Sequence, residues 1–352
     1  MRAAVLNRVP GPLDIEEIQI DDPGPREVLV RVVASGLCHS DLHFMEGKYV
    51  RNTPIVLGHE AAGVVEAVGR DVAGFRPGDH VVACLSVYCG HCPACLSGRP
   101  ALCEAPERER APGQPPRLSR DGAPIHQFAH LSAFAEQMLV HEHALVKIRP
   151  DMPLDRAALI GCAVTTGVGA VINTAKVPPG TTVAVLGCGG VGLNCVQGAA
   201  LAGAGRIIAV DTLAWKLELA RSFGATDLVD AAEEDTVAAV RELTGGGVEY
   251  SFEAIGLKRT AEQAFAMLRA GGTATLIGLI PEGQTIELLG TDFLDEKRIQ
   301  GSSMGSNRFP IDIPRYVDFY LAGKLKLDEL ISTRIGLDDV NAGYEALKRG
   351  EV

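Results

Sequence analysis

Hydrophobic and polar positions divide the chain into two regimes. From Met1 to about Ile160, short β-rich runs such as Glu27 to Ala34 and Gly63 to Val68 are broken by Gly and Pro turns, which predicts a mostly β domain. From Thr181 onward the order is apolar strand, glycine turn, helix: TTVAVLG, GGVGLNCVQGAALAGA, RIIAVD, LAWKLELARSFGA and DLVD, with further strands at VEYSFEAI and GTATLIGL. That order predicts an α/β doubly wound parallel sheet with right-handed crossovers and ligand-binding loops at the carboxyl ends of its strands. The tail from about Phe309, with YVDFYLAGKL at helical spacing, is expected to return to the first domain. The resulting division is 1–163 completed by 305–352, and 164–304. Residues 106–126, rich in Pro, Arg and Gly, read as a long loop rather than a core element.

Composition narrows the class. A chain of 352 residues, 47% hydrophobic and 22% charged, can bury cores for two domains. No stretch approaches the roughly 18 uninterrupted apolar residues of a membrane helix, and the start MRAAVLNRVPG lacks the layout of a signal peptide. A soluble cytoplasmic protein with no membrane partner is therefore expected. Lys plus Arg total 33 against 44 Asp plus Glu, and the net charge of -11 repels nucleic-acid phosphates, so nucleic acid is not an expected partner. The nine cysteines point to metal rather than to disulfides, because the cytosol keeps thiols reduced.

In VAVLGCGGVGLN, Gly187-x-Gly189-x-x-Gly192 closes an apolar strand and opens a helix, a turn that lets a pyrophosphate approach helix-terminal amides. The pattern alone also describes ordinary strand-to-helix turns. The next strand ends at Asp211, 19 residues after Gly192, where a carboxylate would accept hydrogen bonds from ribose hydroxyls and repel a 2'-phosphate. Together the two features favour NAD over NADP. The plain alternative for Asp211 is a helix N-cap. Lys216 reads equally as a ribose contact or as a solvated helix-face lysine.

Cys89-x2-Cys92-x2-Cys95-x7-Cys103 places four thiols within fifteen residues, enough for a closed tetrahedral zinc site with a structural role. A second group is scattered: Cys38 in GLCHSDLH, His59 in LGHEAAG and Cys162 in IGCAVTTG. Two thiolates and one imidazole would leave a zinc with an open fourth position, as catalysis requires. Singly, each has a plain structural reading as a buried thiol or a satisfied histidine.

GLCHSDLH, GHEAAGVVEAVG, GDHVV, the four-cysteine loop, IGCAVTTGVGA and LGCGGVGLN occur in the order, and at nearly the separations, of the zinc-dependent medium-chain alcohol dehydrogenases. The chain resembles the liver-type members from its first strand to its C-terminus. The resemblance implies a GroES-like β-rich catalytic domain plus a Rossmann domain, two Zn2+ per chain, and NAD-linked oxidation of primary alcohols to aldehydes and the reverse. It makes Cys38, His59 and Cys162 catalytic zinc ligands, with Glu60 behind the metal as an occasional alternative ligand. Asp41 then orients His59, while Ser40 and His43 carry the alcohol proton outward. Thr166 and Val191 pack around the nicotinamide, and Gly190, Ile277 and Leu279 join the cofactor contacts. Leu85 lies in the inner substrate pocket, where an aromatic residue often stands.

There are two further departures from the family pattern. His39 replaces a pyrophosphate-binding arginine, so cofactor release is expected to depend on pH near the imidazole range. The chain ends Arg349-Gly350-Glu351-Val352, where relatives continue through another arginine and a final strand, and one cofactor contact is left unassigned. A glutathione-dependent formaldehyde dehydrogenase shares these motifs; it would need cationic pocket residues, for which the loop offers Arg108, Arg110, Arg117 and Arg120, although an arginine-rich loop is more often solvated surface. An interaction protein built on a vestigial dehydrogenase fold is the reading from another class. The resemblance suggests a homodimer joined through an edge strand near Gly301 to Ser303, with a tetramer as the alternative.

Overall fold

The computed structural model describes every residue except Val50, 105–108 and Pro112. The chain forms two compact units, Met1–Cys162 with Arg308–Val352, and Ala163–Asn307.

The first unit holds two sheets. One is a five-stranded antiparallel sheet in the order Gln137–His141, Glu27–Gly36, Glu60–Val68, His80–Ala83, Leu145–Lys147. Val28, Val30, Ala61, Val65, Val81 and Ala83 project from it into one buried cluster. Its registers matter for function. Gly36 pairs with Glu60 and Ala62 with Val82, so Cys38, His59 and the segment after Ala83 all emerge at the same end of the sheet.

The other sheet contains Arg2–Leu6, Leu13–Glu17 and four further strands, two of which correct the expected loop at 106–126. Leu118–Arg120 and Ala123–Gln127 form an antiparallel hairpin turned at Asp121-Gly122. Leu118 and Ile125 are core residues, and Arg117 is buried. Two apolar side chains among many Pro, Arg and Gly make little impression on a sequence window; the neighbouring strands recruited them.

The helical run Leu154–Ala175 is long and apolar enough to cross a membrane by length and composition alone. It is a core helix, with 78% of its apolar window buried. Its turn Ile160–Val164 is π-helical and carries Cys162; such local unwinding re-aims a side chain and recurs at functional sites. Gly161 lets the run approach the strand His80–Ala83: a Cβ there would stand 2.4 Å from the Ala83 carbonyl oxygen.

The second unit is a six-stranded parallel sheet in the order Asp227–Asp230, Arg206–Asp211, Thr182–Leu186, Val248–Glu253, Leu268–Leu276, Arg298–Gly301. Its central strands are apolar throughout, as burial on both faces demands: Val183 to Leu186 and Ile207 to Val210 are all buried. The strand order reverses between Thr182–Leu186 and Val248–Glu253, which opens a crevice at their carboxyl ends. The glycine motif follows the first of these strands and leads into the helix Gly190–Leu201.

Candidate metal and cofactor sites

One ligand atom each from Cys38, His59, Glu60 and Cys162 lie within 4.8 Å of one another, with Cys162, His59 and Glu60 buried. Local structure places each of them. Cys38 caps the short helix His39–Met45, and its Sγ accepts the Ser40 N–H at 3.5 Å. His59 follows Gly58, whose φ of +90° belongs to the left-handed region and whose N–H donates to Asp41 Oδ1 at 3.1 Å. His59 Nδ1 lies 3.2 Å from both carboxylate oxygens of the fully buried Asp41. That pairing turns Nε2 toward the thiols.

Electrostatics test whether a cation suits this cluster. The hydrogen bond from Cys162 lowers the Cys38 thiol well below the ordinary thiol range, with His59 adding to the effect against burial. The same contact and burial push Cys162 well above that range. Burial and the neighbouring Cys38 raise Glu60 to about 8. Burial alone would depress His59, but Asp41 and Cys38 hold it well above the ordinary imidazole range. Three acidic groups compete for protons in one buried space, and a divalent cation would relieve that competition by stabilising all the anions at once. The donor set, two sulfurs and an imidazole, suits zinc.

Ser40 and His43 lie three residues apart on the helix His39–Met45, which puts them on one face. His43 is half-buried, and its Nδ1 has no hydrogen-bond partner. Burial, then Lys48 and His39, depress its pKa. His39 is exposed, with its ring 6.5 Å from that of His43. Leu85 is partly buried and packs against the cluster around Val81 and Ala83.

The sulfurs of Cys89, Cys92, Cys95 and Cys103 also converge within 4.8 Å. Cys89 Sγ stands 3.9 Å from Cys95 Sγ, and Cys92 Sγ 3.8 Å from Cys103 Sγ. Backbone amides of His91 and Cys92 point at Cys89 Sγ at 3.4 and 3.3 Å, and lower its thiol to about 6. Burial and the neighbouring thiols push Cys95 to about 12. A compact four-sulfur nest with amides aimed at sulfur suits a closed zinc site.

In the second unit, Gly187 has a φ of +94°, and a Cβ at Gly192 would stand 1.6 Å from the Gly187 carbonyl oxygen, so both positions require glycine. Gly189 caps the helix that starts at Gly190, with Val191 in its first turn. Asp211 Oδ2 accepts the Cys188 N–H at 2.7 Å, and Oδ1 accepts those of Thr212 and Leu213 at 2.8 and 3.0 Å. The N-cap of the following helix is Leu213, so Asp211 braces the turn ahead of that helix and the glycine loop together. The Lys216 ammonium lies 5.4 Å above the Trp215 ring. Ile277 and Leu279 flank Gly278 beyond the strand Leu268–Leu276.

The family resemblance picks out Thr166 in the sequence, but neither Met304 nor Glu253 is picked out there. Thr166 Oγ1 donates to Met304 Sδ at 3.4 Å, and Met304, Gly305 and Ser306 all have positive φ (47°, 66° and 46°). Met and Ser carry no signal for such a backbone. Glu253, at the end of VEYSFE, is fully buried; a carboxylate closing an apolar strand is the cue that could have found it.

Among the described residues, the loop arginines Arg110, Arg117 and Arg120 are paired within the protein. Arg117 Nε and Arg110 Nη2 each donate to Glu27 at 2.6 Å, and Arg120 pairs with Glu16 and Asn7. Arg108 lies outside the described residues.

Comparisons with known proteins agree with this architecture. Residues 24–151 match the alcohol dehydrogenase GroES-like domain, and residues 190–321 match the zinc-binding dehydrogenase family. The chain is 40% identical to the NDMA-dependent alcohol dehydrogenase of Amycolatopsis methanolica, over 99% of this chain and 96% of that one. It is 38% identical to an alcohol dehydrogenase class-3 of Cereibacter sphaeroides, over 99% and 97%. Among solved structures, an alcohol dehydrogenase zinc-binding domain protein from Burkholderia ambifaria superposes with a TM-score of 0.95 at 38% identity, covering 100% of this chain and 96% of that one. The benzyl alcohol dehydrogenase of Acinetobacter calcoaceticus superposes with a TM-score of 0.93 at 34% identity, covering 99% and 96%. The chain belongs to the zinc-dependent medium-chain alcohol dehydrogenases. It is an oxidoreductase with a GroES-like domain and a Rossmann domain.

Proposed function

We propose that this enzyme oxidises primary alcohols, medium-chain or aromatic, to aldehydes with NAD as acceptor, and catalyses the reverse reaction. The observation that carries the reading is the convergence of Cys38, His59 and Cys162, with Glu60, within 4.8 Å. When bound there, zinc supplies a Lewis acid toward the alcohol oxygen, and NAD supplies the hydride acceptor. Asp41 holds His59 in one tautomer and one orientation. His43, neutral at ordinary pH because its pKa is depressed, accepts a proton handed on by Ser40. Cys89, Cys92, Cys95 and Cys103 hold a second, structural zinc.

Gly187, Gly189, Gly190 and Gly192 seat the pyrophosphate. Asp211, supported by Lys216, takes the adenosine ribose. Thr166, Val191, Ile277 and Leu279 surround the nicotinamide. Leu85 widens the substrate pocket, and the benzyl alcohol dehydrogenase neighbour supports an aromatic substrate. We place the enzyme in the cytoplasm as a homodimer joined near Gly301 to Ser303, at the end of the edge strand Arg298–Gly301, with a tetramer as the alternative.

The class-3 relative favours a second reading, a glutathione-dependent formaldehyde dehydrogenase. The internal pairing of Arg110, Arg117 and Arg120 weighs against it, since these arginines are already committed to carboxylates. NADH absorbance assays with benzyl alcohol, octanol, ethanol, and formaldehyde with and without glutathione separate the two. Turnover of benzyl alcohol without glutathione supports the first reading. Activity confined to formaldehyde with glutathione replaces it with the second.

A further inference from the structure

Glu253 ends the strand Val248–Glu253 at the centre of the parallel sheet, paired with Leu186 and 0% exposed. A carboxylate in such a place is costly unless its hydrogen bonds are made, so its partners indicate its purpose. Oε1 accepts the Ile255 N–H at 2.9 Å, the Gly256 N–H at 2.8 Å and the Thr260 hydroxyl at 2.8 Å. The main-chain carbonyl accepts the N–H groups of Ile277 and Gly278 at 2.9 and 3.0 Å. Oε2 has no partner, and it lies 2.6 Å from where a Cβ on Gly278 would stand. The same Cβ would stand 2.1 Å from the Gly256 nitrogen, so the two turns touch backbone to backbone. One residue thus fixes both loops that leave the carboxyl ends of two adjacent strands.

Those loops carry an apolar surface. Ile255 and Leu279 are 43% and 42% exposed. Ile255 Cγ1 lies 2.5 Å from where a Cβ on Gly187 would stand, directly against the glycine motif. The next amide in that motif, of Cys188, is the one held by Asp211. An exposed apolar wall beside a phosphate-binding turn suits a flat heteroaromatic ring.

We propose that Glu253 is a positioning residue for the dinucleotide: through Oε1 it holds Ile255 and Gly256, and through its carbonyl Ile277 and Gly278, in the shape the cofactor needs. This inference rests on the reading that the chain binds a dinucleotide. Glu253→Ala leaves the Ile255 and Gly256 amides without their acceptor, whereas Glu253→Gln keeps a carbonyl oxygen for them.

The test is NADH binding by fluorescence titration, with KM for NAD and kcat measured on the same holoenzyme preparations. Glu253→Ala should raise Kd for NADH and KM for NAD about tenfold, with kcat at saturating NAD within about twofold of the parent. Glu253→Gln should return both constants to within about threefold of the parent. Amide hydrogen exchange at Ile255 and Gly256 should be faster in the alanine variant alone. If the alanine variant does not fold, Thr260→Val, which removes one of the three Oε1 donors, should still raise KM for NAD with kcat unchanged. Parental NADH affinity in folded Glu253→Ala, or a fall in kcat with KM unchanged, overturns the proposal. A parent enzyme that does not bind NADH overturns the dinucleotide reading itself, and that result appears before any substitution is made.

Discussion

Asp211 serves the protein backbone as well as the proposed cofactor. Its carboxylate accepts amides from Cys188, Thr212 and Leu213, so it shapes the glycine loop as well as carrying the charge that disfavours a 2'-phosphate. Asp211→Gly should raise KM for NAD about tenfold and bring NADP closer to parity. Asp211→Asn, which keeps acceptors for those amides, should lose less NAD affinity yet show the same relative gain for NADP. Specificity constants for the two cofactors check both expectations; an unchanged ratio removes Asp211 from cofactor choice. Leu85 makes the corresponding case for the substrate. An aliphatic side chain in place of a ring leaves room, and each methylene buried there is worth roughly 0.8 kcal/mol, so benzyl alcohol should exceed ethanol by an order of magnitude or more in kcat/KM. Leu85→Phe should lower that ratio about tenfold. A ratio that does not fall takes Leu85 out of the pocket.

The elements around the two sulfur clusters differ in kind. Cys162 rides on a π-helical turn inside a buried helical run, pressed against the strand His80–Ala83 through Gly161. In the four-cysteine loop, Cys95 lies in the short helix Pro93–Leu96 that Cys92 caps, Cys103 follows the 3-10 turn Pro100–Leu102, and Cys89 precedes both, with amides aimed at sulfur. The first cluster sits on rigid framework, while the second organises a segment with little apolar surface of its own. Cys162→Ser should therefore abolish turnover and leave a folded protein that still binds NADH. Cys103→Ser should lower the thermal midpoint first, with residual turnover at low temperature. Metal analysis and thermal melts of the two variants check this; equal losses of stability would show that the clusters are not separable.

At the scale of the molecule, the first unit is tied across long sequence distances by a buried charge network. Glu27 accepts from Arg110 and Arg117 and from the Gly24 amide, which joins the segment before the 118–127 hairpin to the central sheet. Burial alone would raise the Glu27 pKa, but Arg110 and Arg117 hold it at about 2. A carboxylate lowered in the folded state stabilises fully above its unfolded pKa, near 4.5, and the contribution is lost as pH falls toward 2. Glu27→Gln should lower the thermal midpoint at pH 7 by on the order of 5 °C, since it removes the carboxylate that neutralises both the buried Arg117 and the partly buried Arg110. The gap between parent and variant should close as pH falls from 4.5 to 2. A gap independent of pH would mean that packing, not charge, sets the loss.

What could be read along the chain was whatever is local. The glycine motif falls within six residues, Gly187 to Gly192, and the four cysteines within fifteen, Cys89 to Cys103. At that range covalent geometry brings the groups together: the cysteine spacing by itself points to a metal, while the glycine spacing points to a dinucleotide only with Asp211 at the end of the next strand. The parallel sheet was legible for a similar reason, because burial on both faces makes its strands apolar throughout. Cys38, His59 and Cys162 carry no such spacing, and on residue type alone each had an ordinary explanation. Only the register of Gly36 on Glu60, and the approach of Gly161 to Ala83, bring them to one end of one sheet. The hairpin at 118–127 was likewise decided by tertiary structure, since its few apolar side chains become core only when neighbouring strands cover them. Glu253 shows the same rule in a buried polar side chain. Its sequence neighbours are apolar, and the two turns that require its carboxylate and carbonyl meet only when adjacent strands pair.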